Sequence, residues 1–134
     1  MTLPNLLFSN DSKLCGKWAS VKSGACLKSL SDVDDVSYFE LWLNEDGTAR
    51  WGNPKSTQGM PEDKPEQPLR TEWRGEEGRA LVLLIPIAPM PEYGIEEWQH
   101  DGTTVFDVAF VEGQQLLIND RMFDGEILTL LEKI

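Results

Sequence analysis

The chain has 134 residues, 40% hydrophobic and 26% charged, which suffices for one core in a single domain, residues 1–134, and excludes a disordered chain. Twelve Lys and Arg against 23 Asp and Glu leave a net charge of −11. That balance excludes affinity gained by neutralising phosphates, and with it nucleic acid and anionic membrane surfaces as partners.

The N-terminal residues MTLPNLLFSND place no Lys or Arg ahead of a short apolar run and offer no small-residue cleavage site, so the chain reads as cytoplasmic. Cys15 and Cys26 then read as reduced, small buried hydrophobes, although an oxidising setting would permit a bridge between them. The longest apolar stretch, residues 80–90, is broken by Pro86 and Pro89 and is too short to span a membrane as a helix.

Turn signals followed by β-rich runs recur about every ten residues, the mark of an all-β sandwich or barrel. The expected strands are 14–22, 36–43, 48–52, 69–74, 79–85, 92–98, 103–112, 114–119 and 126–132. Short turns between them predict an antiparallel up-and-down meander, a barrel or curled sheet of about 8–9 strands. Residues 25–35 read as a short helix or a loop, because Leu27, Leu30 and Val33 fall three apart.

The Asn44-Glu45-Asp46-Gly47-Thr48 run predicts a type I turn with Gly47 at the left-handed position. That register sets Leu43 opposite Ala49 and Leu41 opposite Trp51. Phe39, Leu41, Leu43, Ala49 and Trp51 share the core face, and Tyr38, Glu40, Trp42 and Arg50 the other, with Trp42 and Arg50 stacked across strands. Residues 52–68 hold four prolines, two glycines and almost no apolar side chain, so they form a long surface loop, either a lid or an insertion. The apolar run 80–85 reads as a strand buried on both faces, and Asp101-Gly102 as the turn of a second hairpin.

The common routes to catalysis find little here, and no enzyme is predicted. His100 sits in a Gln-His-Asp-Gly sequence that reads as a solvated turn. Two cysteines eleven apart with one distant histidine do not make a zinc site, and Asp32, Asp34 and Asp35 lack the Gly and Glu of a calcium loop. No phosphate-binding loop, nucleophile elbow or other cofactor motif occurs, so no metal or cofactor is implied.

Charge distribution says more. Between Arg79 and Arg121 there is no Lys or Arg, while Glu92, Glu96, Glu97, Asp101, Asp107, Glu112 and Asp120 all fall there. A hairpin at Asp101-Gly102 would set Glu96 opposite Asp107, a like-charge pair that opposes folding. The expected partner-binding set is therefore Glu92, Glu96, Glu97, Trp98, Asp101, Asp107 and Glu112 with Trp42, an acidic face with aromatic anchors for a basic protein such as a toxin or nuclease domain.

Gly16-Lys17-Trp18 at the start of the first strand resembles the Gly-x-Trp motif of the lipocalins and their calycin relatives. The resemblance implies a lipocalin-like barrel whose end Trp18 closes, with Arg121 as candidate for the arginine packed over it, and a small apolar ligand inside; the family's Thr-Asp-Tyr motif is absent. Trp51, Phe106, Val108 and Phe110 would line such a cavity, although large inward side chains favour a packed interior. The short acidic chain without catalytic residues also resembles immunity proteins that neutralise toxic effectors. The function expected first is thus a non-enzymatic immunity or inhibitor protein occluding a basic partner. The second is an intracellular carrier or sensor of a small apolar molecule.

Overall fold

The computed structural model describes residues 10–57, 59–123 and 125–134; the side chains of residues 103, 110, 111, 121–123, 125 and 126 lie outside that description. Among the described residues the strands are β1 (Gly16–Gly24), β2 (Ser31–Asp32), β3 (Glu40–Leu43), β4 (Ala49–Gly52), β5 (Glu72–Gly75), β6 (Ala80–Ile87), β7 (Gln99–Glu112), β8 (Gln115–Phe123) and β9 (Gly125–Lys133). All pairings are antiparallel, in the order β4-β3-β1-β9-β8-β7-β6-β5, with β2 alongside the far end of β1.

Read as a circle, that order is the chain order. β1 meets β9 from Trp18↔Lys133 to Gly24↔Leu128, and the two edges, β4 and β5, meet at the Thr48↔Glu72 bridge. Thr71 and Gly47 carbonyls accept the Ala49 and Trp73 amides there, both at 2.9 Å. The sheet is therefore an up-and-down, barrel-like curl, all-β as the sequence predicts.

Its two ends differ. The turns at 44–48, 76–79 and 113–114 gather at one end with the first residues of β1 and the last of β9. There Leu14, Trp18, Leu43, Trp73, Leu81, Leu116 and Leu131 pack with at most 1% of their surface exposed. Burying side chains of this size costs nothing in unmet polarity, because Trp18 Nε1 donates to the Leu14 carbonyl and Trp73 Nε1 to the Asn44 carbonyl, both at 2.9 Å. The three long connections, 25–39, 53–71 and 88–98, all emerge at the opposite end.

The 44–48 turn forms as expected: Gly47 has φ 90°, Leu43 pairs with Ala49, Leu41 with Trp51 and Trp42 with Arg50. One open choice is decided and two expectations are corrected. Residues 25–35 form no α-helix; a three-residue 3₁₀ turn, Leu27–Ser29, leads into β2. Residues 92–98 form no strand, only a 3₁₀ turn at Pro91–Tyr93 and an isolated Met90↔Ile95 bridge. Asp101-Gly102 is no hairpin turn either: β7 continues through it with a shift of register between Leu83↔Thr104 and Ile85↔Asp101, beyond which Pro86 and Ile87 of β6 pair with His100 and Gln99. The aspartate-glycine signal is local, and seven ladder pairs along β6 outweigh it. Cys26 is exposed rather than buried, Cys15 is partly buried against the core, and both thiols are free.

Candidate functional site

At the end where the long connections emerge, the sheet encloses a cavity of about 410 Å³. Its wall follows from strand pairing: Phe106, Asp120 and Ile127 are successive cross-strand neighbours on β7, β8 and β9, and Thr129 pairs with Ser23 of β1. Phe39 and Trp51 continue the core face of β3 and β4, and Val33 and Ser37 close the ring from the connection before β3. Three aromatic and two aliphatic side chains thus line the mouth with three hydroxyls and one carboxylate. The volume is within the range of small-molecule sites.

The interior is both packed and hollow. Val108 is 2% exposed inside the packed core and does not reach the mouth, so of the four expected cavity residues the structure brings Trp51 and Phe106 to it. A register shift between Val108 and Phe110 pairs Phe110 with Leu117, and the Phe110 side chain lies outside the described residues.

A second cavity of about 290 Å³ lies on the seam between β4 and β5 and shares Trp51 with the first. The 52–68 loop folds against this seam. Arg50 donates to the carbonyls of Pro61 (3.1 Å) and Met60 (3.2 Å) and pairs with Glu62 (3.3 Å). Asp63 accepts from the Thr71 amide and hydroxyl, both at 2.8 Å. The Arg50 guanidinium also stacks on Trp42, 4.8 Å from the ring centroid, as the hairpin register predicts, and Lys17 lies over the same ring at 4.2 Å.

The expected acidic face does not form as one surface. Glu92, Glu96 and Glu97 are exposed on the 88–98 connection beside Tyr93, which is 77% exposed, and half-buried Trp98. Asp101 lies within β7 opposite Ile85, and Asp107 faces Ala80 and Asn119 rather than Glu96. Glu112 ends β7 at the packed end. A fourteen-residue strand extends roughly 45 Å, which is why one stretch of sequence reaches both ends. Trp42, on β3, is four strands from β7 in either direction round the sheet. His100 also sits within β7, its Nε2 2.8 Å from the Arg70 carbonyl oxygen.

The mouth is nevertheless acidic. Its three connections carry Asp32, Asp34, Asp35, Glu62, Asp63, Glu66, Glu92, Glu96 and Glu97 against Lys28, Lys55, Lys64 and Arg70. The Ser37 amide donates to Asp34 Oδ1 at 2.7 Å and holds that carboxyl below the usual range, so it is charged at neutral pH. Sequence reasoning missed Asp120 as a wall residue, although Leu116, Ile118 and Asp120 alternate with period two and the first two are buried core.

Among the described residues no group of three His, Cys, Asp or Glu is placed to hold a metal ion, and no helix is long and apolar enough to cross a membrane. No family model matches this chain, and no match is found among curated proteins or solved structures.

Proposed function

We propose that this protein binds a small, largely apolar organic molecule in the open mouth of its curled sheet. The observation that carries the reading is the division of the interior: a packed end plugged by Leu14, Trp18 and Trp73, and a cavity of about 410 Å³ walled by Phe39, Trp51 and Phe106 at the other. A rigid sheet with all three long connections at one end is the usual arrangement for recognition. The packed Trp18 end accords with the lipocalin resemblance, in which the ligand enters opposite the closing tryptophan. The role is that of a carrier or sensor, with residues 52–68 at the rim.

Trp51 is the built-in reporter. Titration with a panel of small aromatic and alkyl compounds should change tryptophan emission, and Trp51→Phe should remove most of that change. Unaltered emission across the panel, together with no heat of binding by calorimetry, contradicts the reading.

A second reading is favoured by the exposure of Glu92, Glu96 and Glu97 around Tyr93 on one connection. It takes the same end as the docking surface for a basic protein, whose site the connection would occlude as an inhibitor or immunity protein does. Reversing the three glutamates to lysine should then slow association strongly at low salt, and unchanged kinetics would contradict it.

A further inference from the structure

Resting on the cavity reading, we infer that the seam cavity is a second compartment of the ligand site, and that the ligand is an aliphatic chain lying from the mouth past Trp51 into it. The seam cavity exists because one strand is short. Thr48, Glu72 and Leu84 form a single cross-strand row, but β5 begins at Glu72 while β4 runs on to Gly52 and β6 to Ile87. Beyond that row, among the described residues, no strand lies between Trp51 and Pro86, and the cavity of about 290 Å³ fills the gap with both residues in its wall. Two strand spacings make the gap roughly 10 Å from backbone to backbone, room for one extended chain. Pro86 suits the flank of β6 that has lost its neighbour, because it has no amide hydrogen to leave unpaired there.

The lining selects the occupant. Ala49, Trp51, Pro61, Ile85 and Pro86 give the gap apolar surface. The polar side chains among them are engaged with the protein itself. Arg50 is held by the Met60 and Pro61 carbonyls and Glu62, and Asp63 by the Thr71 amide and hydroxyl. Gln67 accepts from the Lys64 amide at 3.0 Å and donates to the Leu69 carbonyl at 3.4 Å. A polar ligand group entering the gap would break one of these bonds, whereas methylenes break none and leave water. Trp51 stands in the wall of both compartments, with Phe39 and Phe106 on the mouth side and Ala49 and Ile85 on the seam side. The Ser23, Ser37 and Thr129 hydroxyls line the mouth, so the polar end of the molecule stays there and its tail runs under the 60–63 segment.

The test is amide NMR of the full chain titrated with octanol and with tetradecanol, two probes that differ only in chain length. Octanol should shift the amides of Phe39, Phe106 and Thr129 in the mouth. Tetradecanol should add Ala49, Thr71, Ile85 and the Gln67 side-chain amide, and should bind at least about a hundredfold more tightly. Ile85→Phe, checked for folding by near-UV circular dichroism, fills the gap; it should weaken tetradecanol at least about tenfold and leave octanol within about twofold. The same shifted amides for both alcohols in the unaltered protein, or tetradecanol affinity unchanged in a folded Ile85→Phe, would overturn the second compartment while leaving the cavity reading standing. Failure of both alcohols to bind would overturn both.

Discussion

Lys133 lies over Trp18, its ammonium 5.2 Å from the ring centroid, and the two residues pair directly across β1 and β9. The pair seals the packed end with the first and last strands of the curl. Lys133 thus places a cation over this tryptophan; Arg121, the candidate for such a cation in the sequence analysis, has its side chain outside the described residues.

Gly16 makes the seal possible. It has φ 139°, which other residues rarely adopt, and a Cβ there would meet Lys133 Cε at 3.0 Å. Gly16→Val should therefore lower unfolding stability by about 1–3 kcal/mol, through strain and displacement of Lys133. A lowered urea midpoint with unchanged slope is the expected result, and an unshifted midpoint would mean the contact is dispensable.

Arg50 ties the 52–68 loop to the sheet through two carbonyls and Glu62 while stacking on Trp42. Arg50→Ala should speed limited proteolysis within 52–68 several-fold. Global stability should fall by only about 1 kcal/mol, since half-exposed ion pairs and cation–π contacts are each worth little. Cleavage at the unaltered rate would show that Asp63 and Thr71 hold the loop alone.

The two thiols should differ in reactivity. The Ser29 hydroxyl and the Lys28 and Ser29 amides favour the Cys26 thiolate and lower its pKa, whereas desolvation raises that of Cys15. Only the thiolate reacts, so Cys26 should be alkylated by iodoacetamide before Cys15 and at lower pH. Mass mapping of the first modified site decides this, and equal rates at both sites would contradict it.

Burial, and then donation from Tyr38 Oη to Glu40 Oε2 at 2.6 Å, push the Tyr38 hydroxyl up to about 12. The folded pKa lies above the unfolded one, so this contribution to stability is full below about pH 10 and is lost as pH rises towards 12. An alkaline absorbance titration should show one tyrosinate transition near 12 that Tyr38→Phe removes. A Tyr38 transition near pH 10 would show that the bond to Glu40 does not hold in solution.

Several features of the fold were legible because they depend on neighbours in sequence. Asp46-Gly47 sets the register that buries Leu41, Leu43 and Ala49, and the prolines of 52–68 mark the loop. What local pattern does not encode is where a strand continues through a turn signal, as β7 does at Asp101-Gly102, or where a bulge changes alternation, as at Val108 to Phe110. Misplacing that turn created the apparent Glu96–Asp107 pair and with it the apparent single acidic face. Asp120 was counted for its charge, but its inward place was visible only in its phase with Leu116 and Ile118.

On the cavity reading the mouth, and not the packed end, receives a ligand. Backbone and indole amide NMR shifts followed during titration with decanol, an uncharged probe, distinguish the two ends. Shifts should concentrate at Val33, Phe39, Phe106, Asp120, Ile127, Thr129 and the Trp51 indole, and leave the Trp18 and Trp73 indoles unmoved. Shifts confined to the outer surface, or none at saturating ligand, would contradict it.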